Sequence, residues 1–295
     1  MNAASITQQD HQGVVLVLGG TGKTGRRVAE RLQARGIETR IASRSTTPAF
    51  DWNAPSGWEA AFEGVTAAYL TYSPDLAIPG ATEAIRRVVD LAVTKGVRRL
   101  VLLSGRGEEE AQACERVLQA AEVEWTVVRA SWFMQNFSEG EFLGMVQAGA
   151  ITLPAANIPE PFIDVDDIAD VAVAALTEEG HAYETYEVTG PRCLTFAELA
   201  RELSRAAGRD VSFTQVPAAG FARAITESGA PADIAWLLNY LFETVLDGRN
   251  AYVADGVQRA LGREPADVAD FARRIAASGI WQATHEEATH QETAV

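Results

Sequence analysis

Three glycines at three-residue spacing, Gly19, Gly22 and Gly25, mark where this chain could hold phosphate. Glycine lets a backbone bend sharply and approach a pyrophosphate closely. Around them, Val14 to Arg27 reads VVLVLGGTGKTGRR. The apolar run Val14 to Leu18 has the pattern of a parallel strand buried on both faces. After the glycines, Val28, Ala29 and Leu32 share one helical face. A helix start presents unpaired N–H groups and partial positive charge to an anion. Gly20-x-Gly22-x-x-Gly25 in this context is the dinucleotide fingerprint. A glycine turn made for packing alone is the rival, and the flanking strand and helix weigh against it. Gly22-Lys23-Thr24 imitates the end of a nucleoside-triphosphate loop. That loop needs a glycine five positions before Gly22, where Val17 stands inside the strand.

The next strand, Thr39 to Ser43, runs into Arg44. NAD-specific folds place an acid near this point to bind the ribose 2′-OH. Positions 40 to 47 contain no acid. Arg44 offers a fork of donors suited to a 2′-phosphate, with Ser43 and Ser45 beside it. The expected cofactor is therefore NADP(H).

The elements that must position these groups alternate between strand and helix. Ala49 to Asp51 is a strand candidate, Trp58 to Glu63 a short helix, and Ala67 to Thr71 a strand entering Tyr72-Ser73-Pro74. Ile85, Val88, Val89 and Ala92 set a helical period, and Leu100 to Leu103 is a buried strand ending at Ser104-Gly105. Glu108 to Ala121 reads as helix and Trp125 to Val128 as strand. This order predicts an α/β fold, a Rossmann-type doubly wound parallel sheet with a smaller, mainly helical C-terminal lobe. The expected division is 13–150 for the dinucleotide-binding domain, its sheet completed by a strand near 183–188, and 151–282 for the substrate lobe. Residues 1–12 and 283–295 read as polar tails. In the lobe, Thr195-x-x-Glu198 is a capping box, and Ile234, Leu237, Leu238, Leu241 and Val245 mark a long helix. Ligands on such sheets lie beyond the C-terminal strand ends, which gathers Gly19 to Thr24, Arg44, Asp51, Tyr72, Ser104 and Ser131 to Phe133 around one crevice.

Composition narrows the function classes. With 295 residues, 47% of them hydrophobic, the chain can build a large core. A formal charge of −15 repels nucleic acid and anionic membranes. No apolar run reaches the length of a membrane span, and the N-terminal MNAASITQQDHQ lacks the pattern of a signal peptide. Cys114 and Cys193 make no disulfide framework, so a reducing cytoplasm is expected. His285 and His290 are five apart, unlike a zinc-binding HExxH, and no metal site is expected.

Several phrases carry a family resemblance: VLGGTGKTGRRVAERL, VRRLVLLSG, VEWTVVRASWFMQNF and PFIDVDDIADVA. The chain resembles the NmrA-like, atypical short-chain dehydrogenase/reductases over roughly residues 13 to 282. Phe50-Asp51-Trp52 and the closing GREPADVADFARRIAASGIW resemble the ergot-alkaloid reductases (festuclavine/agroclavine dehydrogenase type) and their bacterial relatives. That resemblance implies secondary metabolism, a small-molecule substrate, and a monomer or homodimer. It implies that Gly19, Thr21, Gly22, Lys23, Thr24 and Gly25 hold the pyrophosphate. Ser43 and Arg44 take the 2′-phosphate, Asp51 and Trp52 lie near the adenine, and Thr71, Tyr72 and Ser104 flank the nicotinamide. Trp132, Phe133, Asn136 and Phe162 shape the substrate pocket, with Tyr72 and Ser104 as catalytic candidates.

One departure stands out. Typical short-chain reductases use a Tyr-x-x-x-Lys pair, and no tyrosine here is followed four residues on by lysine. Gln112 occupies the place of a helical lysine. Two readings follow. An NADPH-dependent reductase would act on an imine or iminium, a quinone or an activated enone, which need little acid help. A non-catalytic NADP(H)-sensing regulator would need no pocket. The aromatic residues at the strand ends favour the reductase.

Overall fold

The computed structural model describes residues 13–282. Six strands form one all-parallel sheet: β1 (Val14–Leu18), β2 (Thr39–Ala42), β3 (Val65–Leu70), β4 (Arg99–Gly105), β5 (Glu124–Ala130) and, later in the chain, Glu184–Val188. Two further strands, β6 (Ala150–Leu153) and β8 (Ser212–Gln215), pair in parallel by themselves, so Glu184–Val188 is β7. The large sheet runs β2-β1-β3-β4-β5-β7. The chain steps outward from β1 to β2, then crosses back over β1 to β3. That reversal is the topological switch point, where this class of sheet opens a crevice.

The helices are α1 (Lys23–Ala34), α2 (Trp58–Phe62), α3 (Ala81–Thr94), α4 (Glu109–Gln119), α5 (Leu143–Ala148), α6 (Val165–Thr177), α7 (Phe196–Ala207), α8 (Ala218–Glu227), α9 (Ala232–Tyr240), α10 (Gly256–Leu261) and α11 (Val268–Ala277). Strand alternation divides them between two faces. Leu16, Leu18, Leu70 and Leu102 pack with α2, α3 and α4. Val15, Val17, Tyr69 and Val101 pack with α1 and α6. A separate core built on Phe137, Phe196, Phe242 and Phe271 holds the lobe together. Helix α6 and strand β7 belong to the sheet layers, because α6 is buried almost all round and lies against α1. The chain thus leaves the sheet after β5, returns for α6 and β7, and leaves again, so residues 165–188 do not pack as part of a lobe beginning at 151.

Three expectations are corrected. Ala49 to Asp51 is not a strand. Phe50 N–H bonds back to Ser43 O at 2.9 Å, and Asp51 O accepts from the Trp58 indole at 2.6 Å, so side chains and a turn take the groups a ladder would need. Strand β2 ends at Ala42, since Ser43 N–H turns to Thr46 Oγ1 at 2.8 Å. Helix α4 starts at Glu109, with Glu108 extended before it. The long helix of the lobe is α9 continued by a π-helical turn over Leu241–Val245. Among the described residues no helix is long and apolar enough to cross a membrane. His285 and His290 lie outside the described residues.

Candidate active site

A cavity of about 550 Å³ opens beyond the C-terminal ends of β1 to β5. Its floor begins at the glycine turn. Gly19 has φ +66°, a left-handed conformation suited to glycine, and Gly22 N–H bonds to Gly19 O at 2.8 Å. A methyl group on Gly25 would meet Gly19 O at 2.4 Å, so this glycine lets α1 start tight against the turn. Gly25 therefore supports the cradle from beneath and does not line the cavity.

Gly19, Thr21, Gly22, Lys23 and Thr24 line one end, with Ser43, Arg44, Asp51, Trp52, Thr71 and Tyr72 next to them. Arg44 is exposed and makes no ion pair among the described residues. Trp52 is fixed by its indole N–H on Thr71 O at 3.2 Å and by rings on three sides, Phe50, Trp58 and Tyr72. Tyr72 lies 4.8 Å from Trp52 between ring centres, and burial, then Cys114, raises its hydroxyl above the usual tyrosine range.

Ser104 is buried and donates to Glu115 Oε1 at 2.6 Å. Glu115 in turn accepts from Arg129 at 2.9 and 2.5 Å, a bidentate pair. The Ser104 hydroxyl proton is thus committed to a carboxylate. Trp132 and Phe133 line the cavity together with Ile234, Leu237, Leu238, Leu241 and Val245 of α9 and its π turn, whereas Asn136 lies at the glycine-turn end, against Lys23. Phe162 does not join them. It is fully buried in the lobe core, edge-on to Phe196 at 5.1 Å, because its neighbours in the PFIDVDD stretch turn inward with it.

Four carboxyl groups on the cavity wall escaped the sequence reading as site residues: Asp75, Glu108, Glu141 and Glu160. Burial, followed by the Asp75 charge, holds Glu108 well above the ordinary carboxylate range. Burial also raises Asp75. Glu160 is 1% exposed, its Oε1 has no hydrogen-bond partner, and burial pushes its carboxyl up to about 7 despite the Arg106 charge. No spacing rule marks such residues. Glu108 read as one more acid at a helix start, and Glu160 lies in an irregular stretch. The apolar wall of α9 was legible as a helix, but not as a roof.

The pocket combines a glycine turn at a helix start, an exposed arginine with no ion pair among the described residues, aromatic side chains and the buried acids Glu108 and Glu160. A relative in Bacillus subtilis (strain 168), the uncharacterised oxidoreductase YesF, is 33% identical over 90% of this chain and 96% of its own length. The agroclavine dehydrogenase of Claviceps fusiformis is 32% identical over 87% of this chain and 95% of its own. The same fold is found in the crystal structure of the Citrobacter sp. triphenylmethane reductase complexed with NADP(H), with a TM-score of 0.72 at 20% identity, covering 89% of this chain and 99% of that one. The family model described as NmrA-like matches residues 49–272, and with these relatives along nearly its whole length the chain belongs to the NmrA-like family.

Proposed function

We propose that this protein is an NADPH-dependent reductase of a small organic molecule whose reacting atom is already electrophilic: an imine or iminium, a quinone or an activated enone. The observation that carries the reading is the single cavity running from the Gly19–Thr24 cradle and Arg44 to the Trp132–Phe133 end. The oxidoreductase and dehydrogenase names of its relatives support it.

The residues fit the cofactor. Gly19, Thr21, Gly22, Lys23 and Thr24 would hold the pyrophosphate at the start of α1, over the close approach that Gly25 allows. Ser43 and Arg44 would take the 2′-phosphate, and Asp51 and Trp52 the adenine side. Thr71, Tyr72 and Ser104 would border the nicotinamide, which when bound supplies a hydride. Trp132 and Phe133, roofed by α9, would orient the acceptor and exclude water, so that positioning supplies much of the rate.

Nicotinamide absorbance tests this directly. Pure protein with NADPH is offered cyclic iminium ions, quinones and activated enones. Acceptor-dependent oxidation supports the reductase. Tight NADPH binding without turnover on any class would favour an NADP(H) sensor.

A further inference from the structure

We propose that Glu108 is the proton donor of this reductase, with Asp75 as the positioning residue that keeps it protonated. The inference rests on the reductase reading and supplies the acid that the missing Tyr-x-x-x-Lys pair leaves open.

Glu108 stands at the position before α4 where a side chain could cap the helix, yet it makes no capping bond. Its carboxyl folds back over the end of β4 instead. A methyl group on Gly105 would meet Glu108 Oε1 at 2.1 Å, so the absence of a side chain there is what seats the acid. Glu108 is 6% exposed and lines the cavity with Tyr72, Asp75 and Gly105. Its Oε2 finds no donor among the described residues. The Asp75 carboxyl, whose Oδ1 accepts from Ala77 N–H at 2.8 Å, lines the same cavity, and its charge adds to burial in raising Glu108. A like charge beside a buried carboxyl favours its protonated form.

Among the described residues no cation pairs with Glu108. Glu110 and Glu115 on α4 add negative charge. Tyr240, at the end of α9, donates to Glu110 at 2.5 Å and is neutral. Arg249 is spent on Asp247, with contacts at 2.8 and 3.0 Å. Arg106 is spent on Glu187 at 2.8 Å and on the carbonyls of Asn250 and Tyr252. A buried carboxyl whose protonated form is favoured is what a general acid needs. Ser104 cannot easily compete, because its proton points to Glu115.

In the step, the acceptor carbon gains a C–H bond from the hydride, with its two electrons, and the displaced π pair moves to the acceptor's oxygen. That oxygen takes the proton from Glu108, which is left as carboxylate and is reprotonated by solvent. An iminium acceptor becomes a neutral amine with no proton required, so the donor matters for quinones and enones.

The test uses the full chain, NADPH, a quinone and an enone, with Glu108→Gln and Asp75→Asn. Glu108→Gln is expected to lower kcat on both acceptors about a hundredfold. Asp75→Asn, which removes the like charge, is expected to move the alkaline fall of kcat to lower pH. Infrared spectra of the protein without cofactor should show protonated-carboxyl absorption near neutral pH, of which Glu108→Gln removes a part distinct from the part that Glu160→Gln removes. Unchanged kcat and pH profile in Glu108→Gln, or no loss of carboxyl absorption in that variant, would overturn the donor alone. Failure of the parent to oxidise NADPH with any acceptor would overturn the reductase reading and the donor together.

Discussion

Lys23 Nζ donates to Asn136 Oδ1 at 2.9 Å, joining the glycine turn to the loop after β5 across 113 positions of chain. The same ammonium lies 3.2 Å from Glu141 Oε2. Three and four residues on from Lys23, Arg26 and Arg27 both grip Glu139, the latter at 2.6 Å. Residues 136–141 are therefore strapped across the start of α1, where an incoming phosphate would need Lys23.

Lys23 and Glu141 should act in opposite directions on the cofactor. Lys23→Met should weaken NADPH binding about tenfold, the loss of one charge-assisted contact. Glu141→Gln frees the ammonium from an exposed competitor and should tighten binding by no more than about fivefold. Isothermal calorimetry measures both, and a shift of the same sign in the two variants would contradict the strap.

Arg44 is the charge that should separate NADPH from NADH. Its guanidinium is exposed and free of ion pairs among the described residues, so nothing competes for it. Arg44→Ala should cost NADPH about 1.5–3 kcal/mol and leave NADH binding nearly unchanged. Equal affinities for the two coenzymes in the parent protein would remove the basis for an NADP(H) preference.

Phe162 and Phe133 should separate stability from recognition. Phe162→Ala empties a site in the middle of the lobe core and should cost about 3–5 kcal/mol in urea unfolding. The ratio of kcat/KM between two acceptors should stay put. Phe133→Ala, on the cavity wall, should move that ratio with a much smaller loss of stability. An altered ratio in Phe162→Ala would mean that the lobe core reaches the acceptor.

Glu160 should make stability fall as pH rises. Its carboxyl is raised from the ordinary 4.5 to about 7, so the folded chain binds more protons than the unfolded chain between those values. Stability is highest below pH about 4.5 on account of this group and is lost as pH passes through about 7, by roughly 3 kcal/mol in all. Glu160→Gln should remove that slope and be the more stable protein at pH 8. Denaturant midpoints at pH 5 and pH 8 would show it, and parallel pH dependence in the two proteins would refute it.

The local signals in this chain were strong where one residue type does one job. Val14 to Leu18 followed by three glycines fixed a strand, a turn and a helix, because no other backbone path suits that order of apolar run and glycine. The capping box at Thr195 and Glu198 forms as its spacing dictates, with Glu198 N–H on Thr195 Oγ1 at 3.2 Å. The gathering of Arg44, Tyr72, Ser104 and Phe133 at one end of the sheet also followed from alternation alone, since parallel strands all end on the same side. What distance along the chain cannot carry was decided by packing. Phe50 and Asp51 gave up a strand because Trp58 claimed a carbonyl, and Phe162 went to a core assembled from α7 and the segments around it. Glu108 and Asp75 are 33 residues apart on separate strand ends, and only the folded sheet brings the two acids to one cavity, where burial and the Asp75 charge raise Glu108. Charge, burial and proximity are properties of the assembled site, so the sequence could mark the glycine turn while only the tertiary structure brought the acids to the cavity wall.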